Sequence, residues 1–277
     1  MFPNKIDHKQ PKKTALITGA AAGIGYELAS IFARDGYNLV LVDKNEQQLA
    51  NVTNEFKSKF GSSITMIAKD LSLPTSSLEI YSQLQAASIN VDFLVNNAGF
   101  GHYGFFADTD LTSELDMLQV NLVTLTHMTK LFVRDMAKRG QGKVLNVAST
   151  AAFQPGPLMA VYFATKAYVL SFSQAIANEL EGTGVTVTVL CPGPTESAFH
   201  ETTGMAETEL VKGKKMMDAA TVARVGYRGL MANKTVVIPG VKNRILAETV
   251  RFIPRSLVTK FVRNMQELPS IDEGAGI

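Results

Sequence analysis

Short apolar runs alternate along this chain with longer stretches whose apolar positions recur at helical spacing. TALITG (residues 14–19) is a β-rich run ending in glycine, and GIGYELASIFARDG (23–36) follows with helical periodicity and Gly36 as its stop. The pattern then repeats. NLVLVD (38–43) precedes the helical EQQLANVTNEFKSKF (46–60), SITMIAKD (63–70) precedes SSLEIYSQLQAAS (76–88), and VDFLVNN (91–97) leads through a loop to a helical run over residues 109–138. KVLNVAS (143–149), a helix over about 158–181 and VTVTVLCPG (185–193) complete the alternation. Strands separated by helices imply parallel strands joined by right-handed crossovers. Runs such as LVLV, and VLNV but for its Asn146, are apolar on both faces, as strands buried on both faces are expected to be. The fold class expected is therefore α/β, a Rossmann-type doubly wound parallel sheet, in a single domain with a C-terminal helical extension.

The organisation expected is a flexible lead over residues 1–12, the sheet domain over 13–240 with a substrate lid at about 194–217, and a helical tail over 241–277. In the tail, residues 244–266 set Leu257, Val258, Phe261, Val262 and Met265 against Arg255, Lys260 and Arg263, and Pro254 divides the segment into two short helices. The tail is expected to be a flap over the substrate mouth or a partner subunit, in preference to lying on a membrane surface.

Composition narrows the functional classes. The 277 residues are 46% hydrophobic, enough for one large core. The net charge is +2 with dispersed basic residues, which argues against nucleic acid and for a small-molecule ligand. Cys191 is the sole cysteine and makes no internal disulfide; the first residues lack the apolar core of a secretory signal, and no apolar run spans a bilayer. A cytoplasmic location is expected. No His/Cys/Asp cluster has metal-ligand spacing, so no metal is expected, and His102 reads as a solvated loop residue.

Candidate chemistry falls at the carboxyl ends of the strands, where ligands of such sheets bind. Thr18, Gly19, Ala20, Ala21, Ala22, Gly23, Ile24 and Gly25 link the first strand to the first helix with small residues only, suited to a diphosphate at a helix N-terminus or, alternatively, to tight strand–helix packing. Asp43 closes the second strand, where a carboxylate accepts hydrogen bonds from ribose hydroxyls and repels a 2′-phosphate or, alternatively, serves as an ordinary helix-capping or turn aspartate. NAD(H) is therefore the preferred cofactor, with NADP(H) kept open by Lys44. Asp70 at the third strand end faces adenine or is an ordinary cap. Ser149, Tyr162 and Lys166 converge after the fifth strand, the last two one helical turn apart. A phenol protonates a carbonyl oxygen as hydride arrives, an ammonium lowers its pKa, and a hydroxyl holds the substrate oxygen. A half-buried Tyr beside a snorkelling Lys is the plainer reading of the pair.

In order, TGAAAGIG, Asp43, NNAG at residues 96–99, Asn121, Ser149, Tyr162-x-x-x-Lys166 and Pro192-Gly193 resemble the short-chain dehydrogenase/reductase family over residues 13–239. The resemblance implies a catalytic Asn121, Ser149, Tyr162 and Lys166, with Tyr162 as acid/base, Lys166 also on the nicotinamide ribose, and Asn121 holding a relay water. It further implies cofactor contacts from Gly19, Ala22, Gly23, Ile24, Gly25, Asp70, Leu71, Asn97, Ala98, Gly99, Pro192, Gly193, Thr195 and Ser197. The wording NNAGFG, SFSQAIANEL and CPGPTES is similar to the bacterial DltE-like group, members of which often carry Ala-Arg where Asp43-Lys44 stands. Phe100, Tyr103, Phe105, Phe106, Phe153, Met159, Phe199 and Met205 favour an apolar or partly apolar substrate, or simply pack their loops. The helices over 109–138 and 158–181 are apolar around most of their circumference, and the family commonly pairs them, so a homodimer or homotetramer is expected. The expected activity is interconversion of a carbonyl and a secondary alcohol on a small molecule. The alternatives are an NADPH-dependent 3-oxoacyl reductase and a non-catalytic dinucleotide-binding regulatory protein.

Overall fold

A computed structural model describes residues 12–196 and 216–266. The strands are β1 (Thr14–Thr18), β2 (Asn38–Asp43), β3 (Ile64–Ala68), β4 (Phe93–Asn96), β5 (Gly142–Val147), β6 (Val185–Leu190), β7 (Thr195–Glu196), β8 (Met217–Asp218) and β9 (Val236–Val237). The helices are α1 (Gly23–Arg34), α2 (Glu46–Phe60), α3 (Ser76–Ala86), α4 (Leu111–Leu118), α5 (Leu125–Arg139), α6 (Ala160–Glu179), α7 (Ala219–Met231), α8 (Val241–Thr249) and α9 (Arg255–Gln266). A sheet of seven parallel strands runs in the order β3-β2-β1-β4-β5-β6-β9, and β7 pairs with β8 apart from it.

Successive side chains of a strand point to opposite faces, and each face has its own helices. Ala15, Ile17, Leu39, Leu41 and Leu145 pack with Phe32 of α1, Phe56 of α2 and Val222 of α7. Leu16, Val40, Leu94, Val144 and Val187 pack with Ile80 of α3 and Met128 and Phe132 of α5. With mostly apolar central residues, these strands are covered on both faces, as the sequence pattern requires. Helix boundaries follow side-chain chemistry. Asn45 accepts from the Gln48 N–H at 3.0 Å to start α2, Asp110 from the Ser113 N–H at 2.8 Å to start α4, and Asp218 from the Thr221 N–H at 2.7 Å to start α7. Gly61 and Gly140 end α2 and α5 in the left-handed conformation, φ 63° and 68°.

Several details differ from the sequence expectation. The run over 109–138 is one helical rod interrupted by a wide π turn at Gln119–Thr124, which no periodicity signals. β3 and β5 stop two residues before Asp70 and Ser149, so both side chains stand on loops beyond the strand ends. Ser149 caps a 3-10 turn at Thr150–Phe153 by accepting from the Ala151 N–H at 3.1 Å. β7, β8 and β9 have two residues each, too few to show an alternation, and α7 between them lay outside the elements read from the pattern. In the tail, Pro254 follows a 3-10 turn (Val250–Phe252) and accepts from the Leu257 N–H at 3.0 Å as α9 begins.

α9 lays Val258 and Val262 against Met117, Met159 and Phe163, while Leu257 and Phe261 face outward, as do Leu111, Leu115 and Val123 on the α4–α5 rod. Among the described residues no helix is long and apolar enough to cross a membrane. The lid expected at 194–217 lies almost entirely outside the described residues.

Phe32 joins three elements, with its ring 5.4 Å from Tyr37, 5.2 Å from Phe93 and 5.0 Å from Tyr227, centroid to centroid. Phe32→Ala is expected to lower the unfolding free energy in urea by about 3–5 kcal/mol. A loss under about 1 kcal/mol would contradict this packing.

Candidate active site

Strand order reverses between β1 and β4, so the turns leaving these neighbours diverge and open a crevice at their carboxyl ends. One cavity of about 620 Å³ fills this crevice and runs on past β5 and β6. Its walls are built by the turns after six strands, β1 to β6.

After β1, Gly19 turns with φ +66°, and a Cβ at Gly25 would lie 2.0 Å from the Gly19 carbonyl oxygen, so only glycine fits there. The N-cap of α1 is Ala22, which makes no side-chain cap, and the first turn carries no acidic residue. The amide groups at that helix end therefore face the cavity without a competing side-chain acceptor, as an anion site requires. Asp43 is held in place by the Ala21 N–H on one carboxylate oxygen and the Asn45 N–H on the other, each at 3.0 Å. Each oxygen keeps a lone pair for a ribose hydroxyl. Asp70 is held below the usual carboxylate range, first by the Ser72 N–H at 2.9 Å and, to a smaller extent, by the Lys44 ammonium.

After β4, Asn97 stitches the crevice. Its side-chain amide donates to the Thr18 and Gly19 carbonyls at 3.0 and 3.2 Å, while its backbone N–H and that of Ala98 donate to the Thr18 hydroxyl at 3.0 and 3.1 Å. Gly99 is bare for a reason: a Cβ there would lie 2.9 Å from Asn121 Oδ1 and 3.4 Å from Lys166 Nζ.

The polar groups after β5 come together as the sequence spacing suggested. Tyr162 and Lys166 on α6 lie within one turn, with the ammonium 5.6 Å from the phenol ring centroid. Lys166 Nζ donates to the Val147 carbonyl at 3.1 Å, and burial pushes its pKa down to about 8. Burial pushes the Tyr162 phenol up to about 12, while a hydrogen bond with Ser149 pulls the other way. Both shifts have one cause, desolvation of the charged form. Cys191 is fully buried and its thiol is pushed up to about 12, so it is protonated at neutral pH and packs as a small apolar group.

All the described residues expected at the cofactor and catalytic positions line the cavity except Gly25, which lies beneath the turn, and Asn121, which stands behind Phe100. Ser197 lies outside the described residues. Asn121 sits in the π turn, accepts from the Phe100 N–H at 3.2 Å, and donates to the Phe100 carbonyl at 2.9 Å and the Thr165 hydroxyl at 3.1 Å. Thr165, one residue before Lys166, was missed; its position on the same helix turn as Tyr162 was the available signal.

The apolar end divides the aromatic residues expected there. Phe100 and Met159 line the cavity, joined by Phe163. Phe105 and Phe106 are exposed, and Phe153 packs against the cluster of Val169 and Cys191. Phe199 and Met205 lie outside the described residues. Two tail residues reach this region, both missed by sequence reasoning. Asn243 of α8 lies over Gly193, where a Cβ would meet its amide nitrogen at 2.6 Å. Gln266, the last residue of α9, lines the cavity. It is 1% exposed, and neither side-chain amide atom has a hydrogen-bond partner, which costs about 1–3 kcal/mol for such a group.

The sequence profile of short chain dehydrogenases matches residues 13–208. A ketoacyl reductase, HetN, from a Nostoc species is 31% identical over 228 residues, covering 82% of this chain and 77% of its own. A short-chain dehydrogenase from Sphingobium yanoikuyae, solved in complex with NADPH, superposes with TM-score 0.79 at 26% identity, covering 93% of this chain and 99% of that one. A bulky-bulky ketone specific alcohol dehydrogenase from Comamonas testosteroni superposes with TM-score 0.75 at 27% identity, covering 88% and 93%. The parallel sheet, the crevice with its glycine turn and the match over most of the chain lead to one conclusion: this protein belongs to the short chain dehydrogenase family of NAD(P)-dependent oxidoreductases.

Proposed function

We propose that this enzyme interconverts a carbonyl and a secondary alcohol on an apolar or partly apolar small molecule, with Tyr162 as acid/base and NAD(H) preferred over NADP(H). The observation that carries the reading is the convergence of Ser149, Tyr162 and Lys166 at one end of a cavity whose other end holds the bare glycine turn and Asp43. A nicotinamide bound along that crevice supplies or accepts the hydride.

In the reducing direction the Tyr162 hydroxyl gives its proton to the carbonyl oxygen as negative charge develops there. Ser149 orients that oxygen through its own hydroxyl. Lys166, whose pKa near 8 leaves it mostly charged at pH 7, stabilises the phenolate left on Tyr162 and meets the nicotinamide ribose. Asn121 holds the loop of Phe100 against α6 and offers its remaining acceptor capacity to a relay water. Gly19, Ala22, Gly23 and Ile24 would hold a diphosphate, Asp70 and Leu71 the adenine, Asn97, Ala98 and Gly99 would line the adenine-ribose side, and Pro192, Gly193 and Thr195 would approach the nicotinamide carboxamide. Phe100, Met159 and Phe163 give the substrate an apolar wall.

A second reading, NADPH-dependent reduction of 3-oxoacyl substrates, is favoured by the activity named for the Nostoc relative and by Lys44 at the cavity wall. Cofactor titration separates the two. NADH is expected to bind more tightly than NADPH, and Asp43→Ser to shift the ratio toward NADPH by about tenfold or more, because a fixed carboxylate repels a 2′-phosphate. Tighter NADPH binding by the unaltered protein would favour the second reading.

Alcohol oxidation needs the phenolate, so its kcat/KM should rise with pH. At saturating cofactor, Lys166→Met is expected to move that rise about one to three pH units higher, since removing the ammonium favours the neutral phenol. An unmoved profile would mean that Lys166 does not tune Tyr162.

A further inference from the structure

The buried face of α9 carries Val258, Val262 and Gln266 at i, i+4 and i+8. The first two join an apolar cluster with Met117, Met159 and Phe163. The third stands in the same stripe, yet presents an amide where another aliphatic side chain would pack without loss. We propose that Gln266 is a substrate-specificity residue, whose amide hydrogen-bonds a second oxygen function, a hydroxyl or a carbonyl, on the same apolar body that carries the reacting carbonyl.

The proposal rests on the carbonyl–alcohol reading above and adds to it the class of substrate. The main chain of Gln266 is anchored at the end of α9. Its backbone carbonyl accepts from the Tyr103 hydroxyl at 2.6 Å, and one turn earlier the Arg263 guanidinium stacks 4.9 Å from the centre of the Phe105 ring. Two contacts thus pin the end of α9 to the loop after Gly99. The side chain is buried, lines the cavity, and among the described residues has no partner for Nε2 or Oε1. A buried amide left unmatched destabilises the free protein, and what can reach it is whatever fills the cavity.

The chemistry of the wall limits the partner. A primary amide both donates and accepts, which suits a hydroxyl or a carbonyl oxygen. A carboxylate is disfavoured, because Gln266 is neutral and Asp116 also lines the cavity. An unfunctionalised hydrocarbon chain leaves the amide as unmatched as before. The substrate is therefore an apolar ketone or alcohol with a neutral oxygen set away from the reacting carbon.

The test compares the full-length protein with Gln266→Leu, using aliphatic ketones of one length that carry a hydroxyl at successive carbons, each beside its unsubstituted twin. Binding is measured by calorimetry on the NADH complex of a Tyr162→Phe background, so that it is read without turnover; kcat/KM is measured in the Tyr162 enzymes. With Gln266 present, at least one hydroxyl position is expected to improve affinity by about tenfold over the twin, and Gln266→Leu to bring that ratio to about one. The free Gln266→Leu protein should melt at the same temperature or higher, because an unmatched amide has been removed. A lower melting temperature would show that the amide is satisfied within the fold, and a series with no hydroxyl preference, or one untouched by Gln266→Leu, would overturn the proposal equally. Absence of turnover with every ketone would count against the carbonyl–alcohol reading, while the calorimetric ratio would still decide the role of Gln266.

Discussion

The crevice exists because two neighbouring turns are tied together at their roots and free at their tips. Asn97 makes that tie: its side chain donates to the carbonyls of Thr18 and Gly19, and its backbone and that of Ala98 share the Thr18 hydroxyl. These bonds fix the end of β4 against the end of β1 at the point where the strand order reverses. A Cβ at Gly19 would lie 2.9 Å from the Asn97 amide, so the glycine and the asparagine require one another. With the roots closed, the chain after β1 enters α1 in one direction and the chain after β4 passes over Lys166 in the other. A long, narrow cavity between them follows from the topology.

Along that cavity the electrostatic conditions change. At the β1–β2 end, two backbone N–H groups fix the Asp43 carboxylate in place, and the surface is ready for hydroxyl donors and a helix-bound anion. At the β5–α6 end, Tyr162 and Lys166 are both buried, and desolvation pushes each toward its neutral form. A charge that appears on either is costly unless the other answers it, which is the condition under which a phenol and an ammonium act as a unit. The tail closes the same end: α9 supplies an apolar cover, and Gln266 places one uncompensated polar group within it.

Much of this was legible in the chain. Apolar runs without alternation announced a sheet buried on both faces, and the i, i+4 spacing of Tyr162 and Lys166 announced a shared helical face. The parts that escaped the sequence depend on tertiary contacts. The π turn that carries Asn121 has no periodic signature, since it adds backbone to a helix without changing which residues are apolar. Strands β7 to β9 are too short to pattern. Phe105 and Phe106 read as pocket residues because they follow Gly99, but the turn after it directs them outward. Asn243 and Gln266 lie far from every motif in sequence, and only the return of the tail across Gly193 and Met159 brings Asn243 over Gly193 and Gln266 into the cavity wall.

The central claim is that hydride and proton reach one carbonyl from a nicotinamide and from Tyr162. Its most direct test is a single turnover with C4-deuterated reduced cofactor and a ketone, comparing the native chain with Tyr162→Phe and scoring deuterium at the carbinol carbon. The account predicts one deuterium transferred by the native chain, and a Tyr162→Phe protein that binds cofactor with unchanged affinity but transfers essentially none. Undiminished transfer by Tyr162→Phe would contradict it.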